Sequence, residues 1–155
     1  MHILVVGGGM GGTILAHNLA RRLSGELEQG SSKITMLSAT DKHMYQPGLL
    51  YVAVGKMSTT ELYRDQKSLL EPSIDFHVDP VEKFDMDNNS VTTKSGKKIS
   101  YDILCIATGS RGNAAGIPGL AENACQFYTE ADALAMYKKL QKFEGGKVVV
   151  ATQHD

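Results

Sequence analysis

Tryptophan is absent from this 155-residue chain, and cysteine nearly so, with thiols only at Cys105 and Cys125. Two cysteines do not make a secreted disulfide framework, so stability must come from an apolar core. Excess charge is missing as well: 16 Lys and Arg stand against 17 Asp and Glu, a formal net charge of -1. No broad basic surface is implied, and nucleic acid is excluded as the expected partner. No apolar run reaches the roughly 20 residues a membrane helix needs. Residues 3–6 are too short an apolar run for a signal peptide, and glycines follow at once. The expected compartment is therefore the cytoplasm. Internal repeats, heptads and low-complexity tracts are lacking. The five histidines, His17 and His43 among them, show no metal-ligand spacing, so no metal is expected.

Against these absences stand short apolar segments separated by glycine. Ile3, Leu4, Val5 and Val6 form a β-branched run that reads as a buried parallel strand. From residue 11 to about 27, Ile14, Leu15, Leu19, Leu23 and Leu27 recur at helical spacing. Gly30, Ser31 and Ser32 break the pattern, and residues 33–37 read as a second strand. Strand, helix and strand imply a parallel crossover unit. Ser58 followed by Glu61 has the form of a capping box, predicting a helix to about Leu70 before Pro72. Residues 74–78 read as a strand. Residues 81–86, 90–94 and 97–101 alternate in hydropathy between turn residues, the pattern of an antiparallel meander. Residues 103–107 are again a continuous apolar strand. A helix is predicted over 129–143 with Ala133, Leu134, Tyr137 and Leu140 inward, and a further strand over 147–151.

Gly7, Gly9 and Gly12 fit G-x-G-x-x-G. The pattern alone is weak, but here it follows a predicted strand and opens a predicted helix, which is its informative context. Gly7 permits a tight turn, Gly9 admits a pyrophosphate to the backbone, and Gly12 allows close helix–strand packing. The helix N-terminus adds unpaired N–H groups and roughly half a positive charge. At the end of the second strand, where an acid commonly holds a ribose, the chain has Ser38, Ala39 and Thr40, with Asp41 beyond. Ser38 stands either as a ribose ligand, with Asp41 the alternative three residues on, or as a loop residue satisfying local backbone.

Three further segments carry a resemblance. Residues 101–110, a strand ending in Ala107, Thr108 and Gly109, look like the second flavin-domain signature; the meander precedes it, and Ile117, Pro118 and Gly119 follow. With the glycine loop they resemble the two-dinucleotide-binding-domain flavoproteins. The segment from His43 through Gln46, Pro47 and Gly48 to Gly55 is similar to one in sulfide:quinone oxidoreductases and type II NADH dehydrogenases. A coenzyme A disulfide reductase would carry a cysteine beside the glycine, where Pro47 meets Gly48 directly. After Val150 the chain continues Ala151, Thr152, Gln153 and His154, without the glycines of an NADH fingerprint, which favours the sulfide:quinone oxidoreductase branch, in particular its archaeal-like members.

The resemblance implies an α/β fold: a doubly wound parallel Rossmann-like sheet with an antiparallel meander at about 80–101. Residues 1–110 would be the FAD-binding domain, and 111–155 the connection and an incomplete second domain. The implied cofactor is FAD, with Gly7, Gly8, Gly9, Met10, Gly11 and Gly12 around the pyrophosphate. Ser38 and Ala39 would meet the ribose and Val81 the adenine. Gln46 and Pro47 would lie near the ring system, and Ala107, Thr108 and Gly109 near the middle of the cofactor. The implied reaction passes electrons from sulfide, or a related sulfur species, to a membrane quinone. Cys125 is the candidate redox thiol, beside the alternative of an ordinary packing or surface cysteine; Cys105 reads as core. The full-length protein would be peripheral at the inner face of the cell membrane. A type II NADH:quinone oxidoreductase is the alternative enzyme, and a non-catalytic flavin-binding domain the alternative of another class. The stop just after a predicted strand reads as a fragment, expected to bind FAD weakly, if at all, and to be inactive alone.

Overall fold

A computed structural model describes residues 1–113 and 116–151. The described chain divides into two compact units. The first comprises Met1–Tyr45 and Thr60–Arg111, and the second comprises Gln46–Thr59 and the residues from Gly112 onward.

The first unit is built on four parallel strands, β1 (His2–Val6), β2 (Lys33–Ser38), β5 (Ile74–Val78) and β9 (Ile103–Ile106), in the order β5-β2-β1-β9. Between β2 and β5 lie β3 (Lys42–Met44) and β4 (Tyr63–Asp65), an antiparallel pair. Before β9 come β6 (Val81–Asp85), β7 (Ser90–Thr93) and β8 (Lys98–Ser100), an antiparallel sheet of their own. Helices α1 (Met10–Arg22) and α2 (Ser24–Glu28) join β1 to β2.

Why β1 is apolar throughout is visible in its two faces. Ile3 and Val5 join Ala16, Ala20, Ile34, Met36 and Ile74 under α1. Leu4 and Val6 turn the other way and join Leu37 with Val91 and Tyr101 from the meander side. A strand buried on both faces loses the polar alternation of a half-wet strand. The expected parallel sheet, crossover helix and meander are all present.

Several expectations are corrected. Residues 59–70 do not form a helix. Two short 3-10 turns, Thr59–Leu62 and Lys67–Leu69, flank β4, whose ladder with β3 replaces helical bonds. Asp65 caps the second turn, its carboxylate accepting the Ser68 N–H at 2.7 Å. Strand pairing from distant sequence has overridden the local helical pattern beyond Leu62. The first helix does not run unbroken to residue 27: it breaks at Leu23, whose φ of -109° and ψ of 21° leave the helical region, and α2 begins at Ser24. Its buried stripe is Gly12, Thr13, Ala16 and Ala20, and Ile14 faces outward. Residues 147–151 form no strand: no described strand pairs with them, and Val148, Val149 and Val150 are exposed.

In the second unit, α3 (Gly48–Ala53) packs on α5 (Glu130–Leu140), with the short α4 (Leu120–Asn123) between them in sequence. Leu49, Val52, Ala53 and Ala133 are buried. A Cβ at Gly55 would run into the Tyr137 ring, so glycine allows this close approach. The predicted helix at 129 begins as expected, with a capping box between Thr129 and Asp132, but ends at Leu140, and Leu134 is exposed rather than inward.

Candidate functional site

Strand β1 ends at Val6 and the chain must turn sharply to start α1 at Met10. Gly7 makes that turn with φ +117°, a region costly for a side chain. It donates its N–H to the Leu37 carbonyl at 2.8 Å. A Cβ on Gly7 would strike the Ala107 carbonyl, and one on Gly12 would strike the Gly7 carbonyl. A Cβ on Gly8 would come within 2.6 Å of the Ser38 hydroxyl oxygen. These three glycines are therefore demanded by the protein itself. Gly9 and Gly11 differ, because a Cβ on either would meet nothing within 4 Å. Their bare backbone faces open space.

That open space lies at the N-terminus of α1. Gly9 is the N-cap and offers no side-chain cap, and no acidic residue occupies the first turn. The first N–H groups of such a helix lack intrahelical acceptors and favour an anion. Arg21 and Arg22 in the last turn complement the opposite pole. The backbone cradle thus fits a pyrophosphate. It sits at the carboxyl ends of β1, β2 and β9. There the chain order departs from β1 in both directions, the usual ligand crevice of such sheets.

Ser38 ends β2 beside this loop. It is buried, and its hydroxyl accepts the Thr40 N–H at 3.3 Å. Ala39, Thr40 and Asp41 are exposed just beyond. Ala107 donates its N–H to Val6 at 2.7 Å and carries β9 into the turn at Thr108 and Gly109. The loop at 7–12, Ser38 and residues 107–109 are therefore gathered in one place. Val81 opens β6, partly buried against the meander-side core. Met10 is exposed at the helix start. Gln46 and Pro47 belong to the second unit, where Pro47 is the N-cap of α3 and the Gln46 carbonyl accepts the Leu49 N–H at 3.0 Å. Cys125 also belongs there, exposed in a groove of about 140 Å³ with Gln126, Asp132, Met136 and Lys139. Cys105 is half-buried against the α1-side core, and burial pushes its thiol up. Thr152, Gln153, His154 and Asp155, whose lack of glycine entered the sequence argument, lie outside the described residues. Among the described residues no cluster could hold a metal ion, and no helix is long and apolar enough to cross a membrane.

Sequence reading missed a polar network directly behind the loop. Gln66 is fully buried, and its side chain donates to the Thr13 hydroxyl at 2.9 Å. Its carbonyl oxygen lies 2.9 Å from His43 Nδ1. Both Thr13 Oγ1 and His43 Nδ1 approach the Gly8 carbonyl, at 3.4 Å and 3.2 Å. Gln66 is 53 residues from Thr13 in sequence, and no local pattern relates them.

Comparison with known proteins agrees with this geometry. The family model for pyridine nucleotide-disulphide oxidoreductases matches residues 1–151. The chain is 38% identical over 152 residues to the sulfide-quinone reductase of Aquifex aeolicus, covering 96% of this chain and 34% of that protein. It is 29% identical to the mitochondrial sulfide:quinone oxidoreductase of Mus musculus, over 95% of this chain and 32% of that one. The crystal structure of the Aquifex aeolicus sulfide:quinone oxidoreductase superposes with a TM-score of 0.74 and 34% identity, covering 91% of this chain and 32% of that chain. The chain thus spans about a third of the length of these relatives.

Proposed function

From the premise that this chain belongs to the pyridine nucleotide-disulphide oxidoreductase family, we propose that it supplies the FAD-binding part of a sulfide:quinone oxidoreductase. The observation that carries the proposal is the 38% identity to a sulfide-quinone reductase across 96% of the chain. The cradle at Gly9 and Gly11 supports the cofactor, since its open backbone suits a pyrophosphate. When bound, the flavin would accept electrons from a sulfur species and pass them to a quinone.

The chain's own contribution is positioning. The N–H groups at the start of α1 hold the pyrophosphate, and Gly7 and Gly12 set the turn that aims them. Ala107, Thr108 and Gly109 line the middle of the cofactor from the β9 side. The Ser38 hydroxyl accepts the Thr40 N–H and keeps its own hydrogen to donate, so Ser38 and the exposed Ala39 together meet the ribose. Val81 contributes backbone to the adenine, and Gln46 and Pro47 lie toward the ring system. Cys125, exposed and outside the core, is the candidate sulfur-handling thiol of this part of the protein. Sulfide and a quinone are the small-molecule substrates, and the working location is the inner face of the cell membrane, held peripherally.

The test is reduction of the flavin under anaerobic conditions, followed at its visible absorbance in the protein carrying this chain. Sulfide is expected to bleach it rapidly, and a quinone to restore it. Rapid bleaching by NADH with none by sulfide would replace this reading with a type II NADH:quinone oxidoreductase. Bleaching by neither, with FAD tightly held, would make the chain a non-catalytic flavin binder.

A further inference from the structure

Behind the glycine loop, one carbonyl receives more attention than its place in a turn requires. The Gly8 oxygen is met by Thr13 Oγ1 at 3.4 Å and by His43 Nδ1 at 3.2 Å. Gln66, fully buried, bridges these two side chains with bonds of 2.9 Å on either side.

The donors and acceptors in this network can be assigned. A hydroxyl has one hydrogen, and a glutamine has a donor end and an acceptor end. With Gln66 Nε2 donating to Thr13, the Thr13 hydrogen is free for the Gly8 carbonyl. Gln66 Oε1 then accepts from His43 Nδ1–H, which also leans toward Gly8. The flipped amide would take the Thr13 hydrogen for itself and turn the His43 nitrogen into an acceptor. The Gly8 carbonyl would then lose every donor among these three side chains. Only the first arrangement satisfies all members of a buried network.

We infer that Thr13, Gln66 and His43 are positioning residues for the cofactor, acting through the Gly8–Gly9 peptide. Cis peptides are absent from the described residues, so the C=O and N–H of this unit point in opposite directions. A network that holds the Gly8 carbonyl inward therefore turns the Gly9 N–H outward. As a helix-terminal donor that N–H lacks an intrahelical acceptor, and the backbone at Gly9 is unobstructed, since a Cβ there would meet nothing within 4 Å. The helix N-terminus supplies a general preference for an anion, and the network fixes one donor in direction before the anion arrives. Preorganisation of this kind lowers the ordering cost of binding. The inference rests on the FAD reading above.

The test uses the full-length protein that carries this chain, freed of flavin and titrated with FAD by flavin fluorescence to millimolar concentration, as wild type, Thr13→Val, Thr13→Ser and Gln66→Met. Valine keeps the shape of threonine without its hydroxyl, serine keeps the hydroxyl, and methionine keeps the length of glutamine. Thr13→Val and Gln66→Met are expected to raise the FAD Kd about tenfold, the scale of one misdirected charge-assisted hydrogen bond. Thr13→Ser is expected to stay within about twofold of the wild type, on the scale of a retained bond. The Gly9 amide cross-peak in a nitrogen–proton NMR spectrum should shift on FAD addition in the wild type and Thr13→Ser, and far less in Thr13→Val. Wild-type affinity in both apolar variants would overturn the network and leave the cofactor standing. Loss of binding in Thr13→Val that serine does not restore would also overturn it, since the hydroxyl would not be the cause. A wild-type full-length protein that binds no FAD at all would overturn the cofactor reading and this inference with it.

Discussion

Adding one methyl group at Gly9 or at Gly12 should separate cofactor affinity from stability, because the two positions look in opposite directions. Gly9 has φ -75° and ψ -174°, a backbone that alanine adopts freely, and its Cβ would meet nothing within 4 Å. Restricting the unfolded chain should favour Gly9→Ala by about 0.4–1 kcal/mol. Alanine is a poorer N-cap than glycine, by about 0.5–1 kcal/mol. The net change in stability is thus near zero. The methyl would, however, stand where the pyrophosphate must approach the backbone. Losing one charge-assisted N–H contact of about 1.5–3 kcal/mol should raise the FAD Kd roughly 10- to 150-fold. At Gly12 the methyl would be driven into the Gly7 carbonyl, backbone against backbone, with the Ala107 Cβ only 3.4 Å away. Overpacking at the upper end of its range, about 2–3 kcal/mol, exceeds the gain of about 1 kcal/mol from replacing glycine within a helix. Gly12→Ala should therefore lose about 1–2 kcal/mol and some 2–8 °C in Tm. Thermal melts by circular dichroism, paired with FAD titrations, read both quantities on the same samples. A Gly9→Ala chain that melts as early as Gly12→Ala, or that keeps wild-type FAD affinity, would refute the reasoning.

Leu4 is fully buried between β1 and the meander, so Leu4→Ala should cost about 2–5 kcal/mol in urea unfolding; a loss under about 1 kcal/mol would mean that this face is not a packed core. Of the two thiols, exposed Cys125 should be alkylated first by iodoacetamide at neutral pH, since burial holds the Cys105 thiol up and partly covers it. Mass spectrometry of the first labelled species checks this, and Cys105 labelling first would contradict it. Burial, followed by the charge of Lys33, holds His2 below its ordinary 6.5. The unfolded chain then takes up a proton near pH 6.5 that the folded chain refuses until the pH is lower. Stability present above 6.5 should fall on acidification through that window. His2→Gln should reduce the drop in urea midpoint between pH 7.5 and pH 5.5, and an unchanged drop would place its origin elsewhere.

Legibility from the sequence followed the range of the interactions. The Ile3, Leu4, Val5, Val6 run, the glycines after it and the alternation of the meander are local patterns, and each element formed where its pattern lay. The helix predicted from Ser58 is equally local, yet beyond Leu62 it gave way to a ladder with Lys42–Met44 that no short window contains. Ile14 fits the helical period but faces outward, because the close contact of α1 with the sheet is made by the small residues Gly12, Ala16 and Ala20.

The same division runs through the candidate site. By itself the sequence determined that a glycine loop joins a strand to a helix, and it pointed to a dinucleotide there, because the pattern lies within six residues. Only the tertiary structure decided which glycines the fold itself demands and which leave open space beside the backbone. Gly7, Gly8 and Gly12 are crowded by Ala107, Ser38 and Gly7's own carbonyl, whereas Gly9 and Gly11 face open space. Only the tertiary structure, too, brought Gln66 and His43 to Thr13 behind Gly8. A hydrogen bond acts over about 3 Å of space and leaves no period in the sequence, so partners 23 and 53 residues away become visible only once the chain has folded.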